Sequence, residues 1–418
     1  MNIIRTIKGT HDILPSDSKK WQHLENIVNE VCARFGYKEI RTPIFEETRL
    51  FSRSVGENTD IVSKEMYSWE DRDGTSITLR PELTASVVRS YIQHNLGKNA
   101  TVKRLYYMGP LFRRERPQKG RQRQFHQFGV EAFGSKYPEQ DSEIIAIAWQ
   151  ILEECGLSKD STLHLNSIGS SECRQAFRDS LRDYIRPKLG QFSETSQNRF
   201  NTNPLRILDS KSNSEQKLLE DAPKVSDFFT DEDKIHFDKL QSYLTAMDIS
   251  FFINEKLVRG LDYYSRTVFE ITSTSLGAQD ALLGGGRYDG LVETLGGKST
   301  PGIGFAAGME RFLIGMDGQQ KDSNTDIYFV CLDESIISKC LSLSNQLRQA
   351  GYSVITDPNR RSMKAQMREA NKMNAKYALI LGQEELDDQT IVLKDLEKSQ
   401  QESIPQSELL KRIEDLTN

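Results

Sequence analysis

Two long strand-like runs, Lys103 to Phe112 and Arg123 to Phe133, are joined by a loop holding Pro117 and Gly120, not by a helix. Shorter extended stretches precede them near Tyr67 and over Ser76 to Leu79, and a helix starting at Ala85 follows the second of these. Strands joined this way lack regular βαβ alternation, so this part of the chain reads as an antiparallel sheet with helices packed on it. Upstream, Trp21, Leu24, Ile27, Val28, Val31 and Phe35 recur at three and four residues, the spacing of an amphipathic helix that Gly36-Tyr37 stops. An extended segment, Lys38 to Thr42, then runs into Pro43.

The pattern changes twice further on. From about residue 172 to 249 polar residues dominate, strand signals vanish, and helical patches such as Phe177-Leu181-Ile185 alternate with polar loops. Within it, Ser193 to Asn203 reads as a mobile connection. Strand character returns at Val268 to Thr272, which makes the middle an insertion within one domain. After Gln319 to Asn324 the chain alternates: strand Ile327 to Leu332, helix Ile336 to Ala350, strand Tyr352 to Thr356, basic helix Met363 to Met373, strand Tyr377 to Leu381. That is a small separate domain with a mainly parallel sheet. The expected class is α+β, with a domain over 1–322, its mainly helical insertion at about 172–249, and an α/β domain over 325–418.

Composition narrows the function. With 418 residues, two or three domains of ~150 residues fit. A net charge of −5 and mean hydropathy of −0.57 exclude a polycation, though not a nucleic-acid enzyme with a local basic patch. The longest apolar stretch, Ile144 to Leu152, is far short of the ~20 residues that span a bilayer. No apolar signal core opens the sequence, so the mature start is read as it stands. Five cysteines, at 32, 155, 173, 331 and 340, form no Cys-x-x-Cys pair, and six histidines form no His-x-x-x-His pair. A reducing cytoplasm and no transition-metal site are expected.

The densest basic segment, Lys103 to Phe125, has a charge balance of +7. A solvated loop is the ordinary fate of such a run. Period-two spacing argues otherwise, since Arg123, Phe125, Gln127 and Glu131 share one strand face and Arg113 shares another with Glu115. Cations, an aromatic plate and acceptors on one face suit a nucleotide, with Arg forking onto phosphate and Phe125 under a base. His126 falls on the apolar face and reads as structural. Three further segments stand out: Leu257 to Tyr264, Gly284 to Gly290, and Gly302 to Arg311. The glycine triplet alone is weak, marking a turn or a close backbone approach. Gly302 to Arg311 has three residues before its last glycine and no βαβ context, so it is not a dinucleotide fingerprint. It reads as a glycine-paved strand entering a helix, with Arg311 one turn in. In the last domain, Arg361, Lys364, Arg368 and Lys372 recur at three or four residues along one helix face, which fits either solvent or RNA.

These segments in this order resemble the three motifs of class II aminoacyl-tRNA synthetases: Gly36 through Pro43, Phe112 through Phe125, and Gly302 through Arg311. Arg259 to Tyr264, Gly285 to Asp289, Arg80 to Thr84 and Arg116 to Arg121 resemble segments of bacterial-type histidyl-tRNA synthetases, with Ser265 where a threonine is expected. The resemblance implies a class II antiparallel sheet, an anticodon-binding C-terminal domain, and a two-step reaction through histidyl-adenylate. It implies Arg113 and Arg259 as catalytic groups. Glu82, Thr84, Arg113, Gln127, Glu131, Arg259, Tyr263 and Tyr264 would bind histidine, with Glu131 and Tyr264 reading the imidazole. Arg113, Glu115, Arg121, Phe125 and Arg311 would bind ATP, and Mg2+ would travel on its phosphates. Arg116, Gln118, Arg123, Arg361, Lys364 and Arg368 would touch tRNA(His). A cytoplasmic homodimer is implied. The rival implication is a non-catalytic histidine-binding regulatory subunit of ATP phosphoribosyltransferase, a group that usually lacks the last domain and loses the motif arginines.

Overall fold

The structure is a computed structural model that describes residues 3–56, 59, 61–118, 120–208, 210, 212–259, 261, 263–276, 281–316 and 325–417. The chain divides into two compact units, Met1–Gln319 and Gln320–Asn418. Residues 322–324, at the expected boundary, lie outside the described residues, as do Lys119, Gly260 and Asp262 of the motifs.

The first helix, Pro15–Arg34, opens on a proline, whose missing N–H costs nothing at that position. It buries Leu24, Ile27, Val28, Val31 and Cys32, the stripe its spacing requires. Gly36 ends it at φ +77°, with the Gly36 and Tyr37 N–H groups donating back to Ala33 and Cys32 carbonyls. The turn delivers the short strand Lys38–Glu39 onto one edge of an eight-stranded sheet.

From that edge the sheet continues through Lys103–Phe112, Gln124–Phe133, Gly302–Gly308 and Ala281–Arg287. Ser265–Ser273, Ser161–Ser167 and Phe252–Ile253 complete it. Only the outermost pair at each edge is parallel; every inner pair is antiparallel. Helices Pro15–Arg34 and Pro138–Glu154 pack on one face over the principal hydrophobic core. A small three-stranded sheet, in the order Phe45–Glu47, Ser76–Leu79, Tyr67–Glu70, stands apart from it.

One buried carboxylate ties the layers together. Asp141, on helix Pro138–Glu154, accepts from His236 Nε2 (2.7 Å), Thr267 Oγ1 (2.6 Å) and Arg287. Burial raises its carboxyl, yet Arg287 and His236 prevail and hold it below the usual carboxylate value. Arg287 thereby becomes a structural pin at the end of strand Ala281–Arg287, just before Tyr288.

Three expectations need correction. Ser193 to Asn203 is a helix, Glu194–Thr202, not a mobile connection. Ser193 caps it, Phe200 enters the insertion core, and the buried Glu215 binds Ser193 N and Ser196 Oγ. The insertion's own core runs from Cys173 to Val225, whereas helix Asp231–Ala246 puts Phe237, Leu240 and Leu244 into the main core. The C-terminal sheet is mixed: Ile327–Cys331 pairs in parallel with Val354–Thr356 and Tyr377–Leu381, while Thr390–Asp395 and Gln400–Pro405 extend it antiparallel. Gln400–Pro405 is too polar to carry an alternation signal, and the apolar run in Thr390–Asp395 is only three residues long.

Candidate active site

The middle of the sheet opens into two adjoining chambers, of about 230 Å³ and about 410 Å³. Arg113, Gln127, Arg259, Gly284 and Ala306 border both. Register explains the opening. Glu131 pairs with Gly304 across one strand boundary, and Gly284 pairs with both Ala306 and Glu270. A Cβ at Gly304 would lie 1.8 Å from Glu131 Oε2, and one at Gly284 would lie 2.3 Å from the Arg259 guanidinium. The glycines are therefore strand positions kept bare so that a carboxylate and a guanidinium can lie across the sheet.

The smaller chamber centres on Glu131. Thr84 Oγ1 donates to its Oε1 at 2.7 Å, Tyr107 OH donates to the same oxygen at 3.3 Å, and Tyr288 OH donates to Oε2. Burial pushes the Glu131 carboxyl up to about 8, with those hydroxyls working against the rise. Tyr263 and Tyr264 close the wall, their rings 4.7 Å apart. Glu82 and Thr84 both line this chamber. Thr84 is the first residue of helix Thr84–Gln93, and its hydroxyl is engaged by Glu131. Glu82 accepts from the Ala85 N–H at 2.9 Å, so one of its oxygens serves that helix start. Burial holds Glu82 above the ordinary carboxylate value, opposed by those N–H groups and by Arg113.

The larger chamber is cationic. Arg113 Nε donates to the Pro81 carbonyl at 2.9 Å, and its guanidinium lies over the Phe125 ring at 5.3 Å. Arg113 and Glu115 fall just past the strand, which ends at Phe112, yet both line this chamber. Arg121 pairs with Glu115 at 3.1 Å. Arg311 projects from helix Met309–Gly315, which follows directly on strand Gly302–Gly308, as the sequence indicates. Arg259 reaches in from the other side and pairs with Glu270 at 2.5 Å.

The RNA candidates fare unevenly. Arg116 and Gln118 are exposed, with Gln118 and Arg121 exchanging backbone hydrogen bonds across a tight turn. Arg123 is half-buried, and its side chain crowds Gly9. Lys364 and Arg368 are exposed on helix Met363–Lys372, but Arg361 precedes that helix and is folded onto Asp357 at 3.0 Å. His126 is half-buried, 3.0 Å from Glu310 and edge-on to Trp21, a structural setting. Sequence reasoning missed Tyr107, Tyr288 and Glu270. Glu270 alternates with Val268 and Thr272 on a legible strand, but nothing local tells that it meets Arg259.

Gly304→Ala tests the register argument. The Cβ would meet the Val130 carbonyl at 2.3 Å as well as Glu131, so backbone must move. Stability should fall by about 1–3 kcal/mol, the usual cost of overpacking, and the Michaelis constant for the small-chamber ligand should rise at least tenfold. Thermal unfolding and steady-state kinetics measure the two.

An antiparallel sheet whose centre presents paired arginines between two chambers, flanked by a glycine-paved strand leading into a helix, defines a class II aminoacyl-tRNA synthetase. A family profile described as Histidyl-tRNA synthetase matches residues 9–312, and one described as Anticodon binding domain matches residues 326–416. Histidine–tRNA ligases of Natranaerobius thermophilus and Chloroherpeton thalassium are 45% and 47% identical, over 98% of this chain and 98% and 97% of theirs. The crystal structure of apo S. aureus histidyl-tRNA synthetase matches with a TM-score of 0.84 at 37% identity, covering 98% of this chain and 100% of that one. The chain belongs to the histidyl-tRNA synthetase family. It is a histidine–tRNA ligase, joining histidine to tRNA by way of histidyl-adenylate with release of pyrophosphate. The regulatory-subunit alternative is not favoured, because full-length relatives are ligases and the second unit matches an anticodon-binding domain.

Proposed function

We propose that the small chamber holds histidine, the large chamber holds ATP, and the two react where Arg113 and Arg259 border both. That shared border is the observation that carries the reading. The carboxylate of histidine attacks the α-phosphate, and Arg113 and Arg259 offer opposed, already oriented donors where negative charge builds. Glu82 and Gln127 take the α-ammonium group, while Glu131 accepts an imidazole N–H and Tyr264 bounds the ring. Thr84 acts by orienting Glu131, as its 2.7 Å bond indicates. Arg121 and Arg311 bind the outer phosphates and Phe125 the adenine. Glu115 and Glu270 line the large chamber, where Mg2+ carried on the ATP phosphates would supply further positive charge to them.

Exposed Arg116 and Gln118 are placed to meet the acceptor end of tRNA(His), and Lys364 and Arg368 to meet RNA in the second unit. Phosphate contacts of this kind position the RNA, while exposed bases carry specificity. A homodimer is supported by the exposed apolar side chains Ile44, Phe45 and Trp69 beside the first motif's proline. No helix of the described residues is long and apolar enough to cross a membrane. All five cysteines are free, and four are buried, which suits the reducing cytoplasm we propose.

Two substitutions separate the chambers. Tyr264→Phe should raise the histidine Michaelis constant far more than that for ATP, and Phe125→Ala should do the reverse by about tenfold. Equal shifts in both constants for both variants would refute the assignment.

A further inference from the structure

Arg259 borders a third cavity, of about 170 Å³, that has no part in the reaction as derived above. It shares only Val258 and Arg259 with the nucleotide chamber. Arg174, Arg178, Arg206 and Arg259 line it, with no acidic side chain among the described lining residues. Arg174 and Arg178 stand one turn apart on helix Ser171–Ile185, the spacing that sets like charges side by side at a cost. Both are half-buried, and among the described residues neither pairs with a carboxylate. Arg174 donates to the Tyr264 carbonyl, but its Nε, like those of Arg178 and Arg259, is buried with no hydrogen-bond partner. Burial and the nearby Arg178 both hold the Arg174 guanidinium below the ordinary arginine value.

Three buried guanidinium Nε groups from two chain segments flank one small cavity whose described lining holds no carboxylate, and leave a cost that a bound anion removes. Convergence from several directions suits a tetrahedral oxyanion better than a planar carboxylate, and arginine forks match phosphate oxygens. We infer that the cavity walled by Arg174, Arg178 and Arg259 binds a phosphate group. Its source is either free phosphate or pyrophosphate, or a phosphodiester of the RNA backbone. In either case the bound group holds Arg259 from behind while Glu270 holds its other edge. The chemistry of the cavity is independent of which residues read histidine; only the RNA source draws on the ligase activity.

Arg178 lines this cavity and neither reaction chamber, so it isolates the site. The test uses the full chain and its Arg178→Gln, Arg178→Glu and Arg178→Lys variants. Calorimetric titration with inorganic phosphate and with pyrophosphate is combined with the Michaelis constant for tRNA and its salt dependence. A thermal-unfolding midpoint within a few degrees of the parent checks that each variant is folded. A free-anion site predicts at least tenfold weaker phosphate or pyrophosphate binding in Arg178→Gln, more in Arg178→Glu, and partial recovery in Arg178→Lys. An RNA phosphodiester site predicts unchanged free-anion binding, a tRNA Michaelis constant raised at least fivefold, and a salt slope smaller by about one. Unchanged anion binding, tRNA constant and salt slope in folded Arg178→Gln and Arg178→Glu would overturn the inference, as would equal losses in the lysine and glutamine variants.

Discussion

Arg259→His should lower the rate of histidyl-adenylate formation by about 100- to 1,000-fold, the loss typical when one preorganised charge-stabilising donor is removed. Affinity for tRNA should stay within a few-fold, because the exposed basic groups at Arg116, Lys364 and Arg368 are untouched. The size of the effect follows from where this guanidinium lies. It crosses the bare backbone of Gly284, pairs with Glu270 at 2.5 Å, and borders both reaction chambers. An imidazole is too short to reach that border from residue 259 and carries full charge only below its own pKa. Single-turnover adenylation, followed alongside tRNA binding, measures both quantities. Parallel losses in adenylation and tRNA affinity would instead indicate general damage to the fold, or an RNA phosphodiester in the cavity behind Arg259, which the Arg178 variants tell apart.

Glu131→Gln should weaken histidine binding by about 10- to 100-fold while making the free protein more stable in alkali. Binding weakens because the carboxyl can give up its proton when the imidazole N–H arrives, making a charge-assisted bond worth ~1.5–3 kcal/mol, whereas the amide stays neutral. The stability gain follows from linkage. Burial pushes the Glu131 carboxyl up to about 8, against ~4.3 in an unfolded chain. Below ~4.3 both states are protonated and the group contributes nothing. As pH rises the unfolded state ionises first, so stability falls until about 8 and stays low beyond it. Glutamine removes that penalty, on the order of 2–5 kcal/mol above pH 8. Melting temperatures of the two proteins without histidine should therefore coincide near pH 4.5 and separate in favour of the variant by pH 8.5. A pH-independent difference would show that Glu131 is ionised throughout, held by Thr84, Tyr107 and Tyr288.

The sequence is most legible where a periodic signal meets a strong boundary. Ser76–Leu79, Lys103–Phe112 and Tyr377–Leu381 fall where alternation or continuous apolar character places them. The Gly302 to Arg311 reading also holds, because a glycine-paved strand followed at once by a helix leaves little freedom for residue 311. Other features depend on contacts that no local window contains. Helix Glu194–Thr202 is polar, and its anchor, Glu215, lies 22 residues from Ser193. Tyr107 and Tyr288 read as ordinary core aromatics until the fold brings both hydroxyls to Glu131. Three adjacent glycines suggest a turn, yet they form a strand, where the Arg259 side chain and the Gly304 and Thr267 carbonyls fill the space a Cβ would need. Arg361 shows the opposite failure: its spacing fits the basic helix face, but Asp357 captures it before the helix begins.

Amino-acid-dependent exchange of pyrophosphate into ATP, with each of the twenty amino acids supplied separately and no tRNA present, tests the division into a histidine chamber and an ATP chamber most directly. The account predicts exchange with histidine alone, and its loss in Arg259→His. Comparable exchange with a second amino acid would contradict the assignment of Glu131 and Tyr264 as the groups that select the side chain.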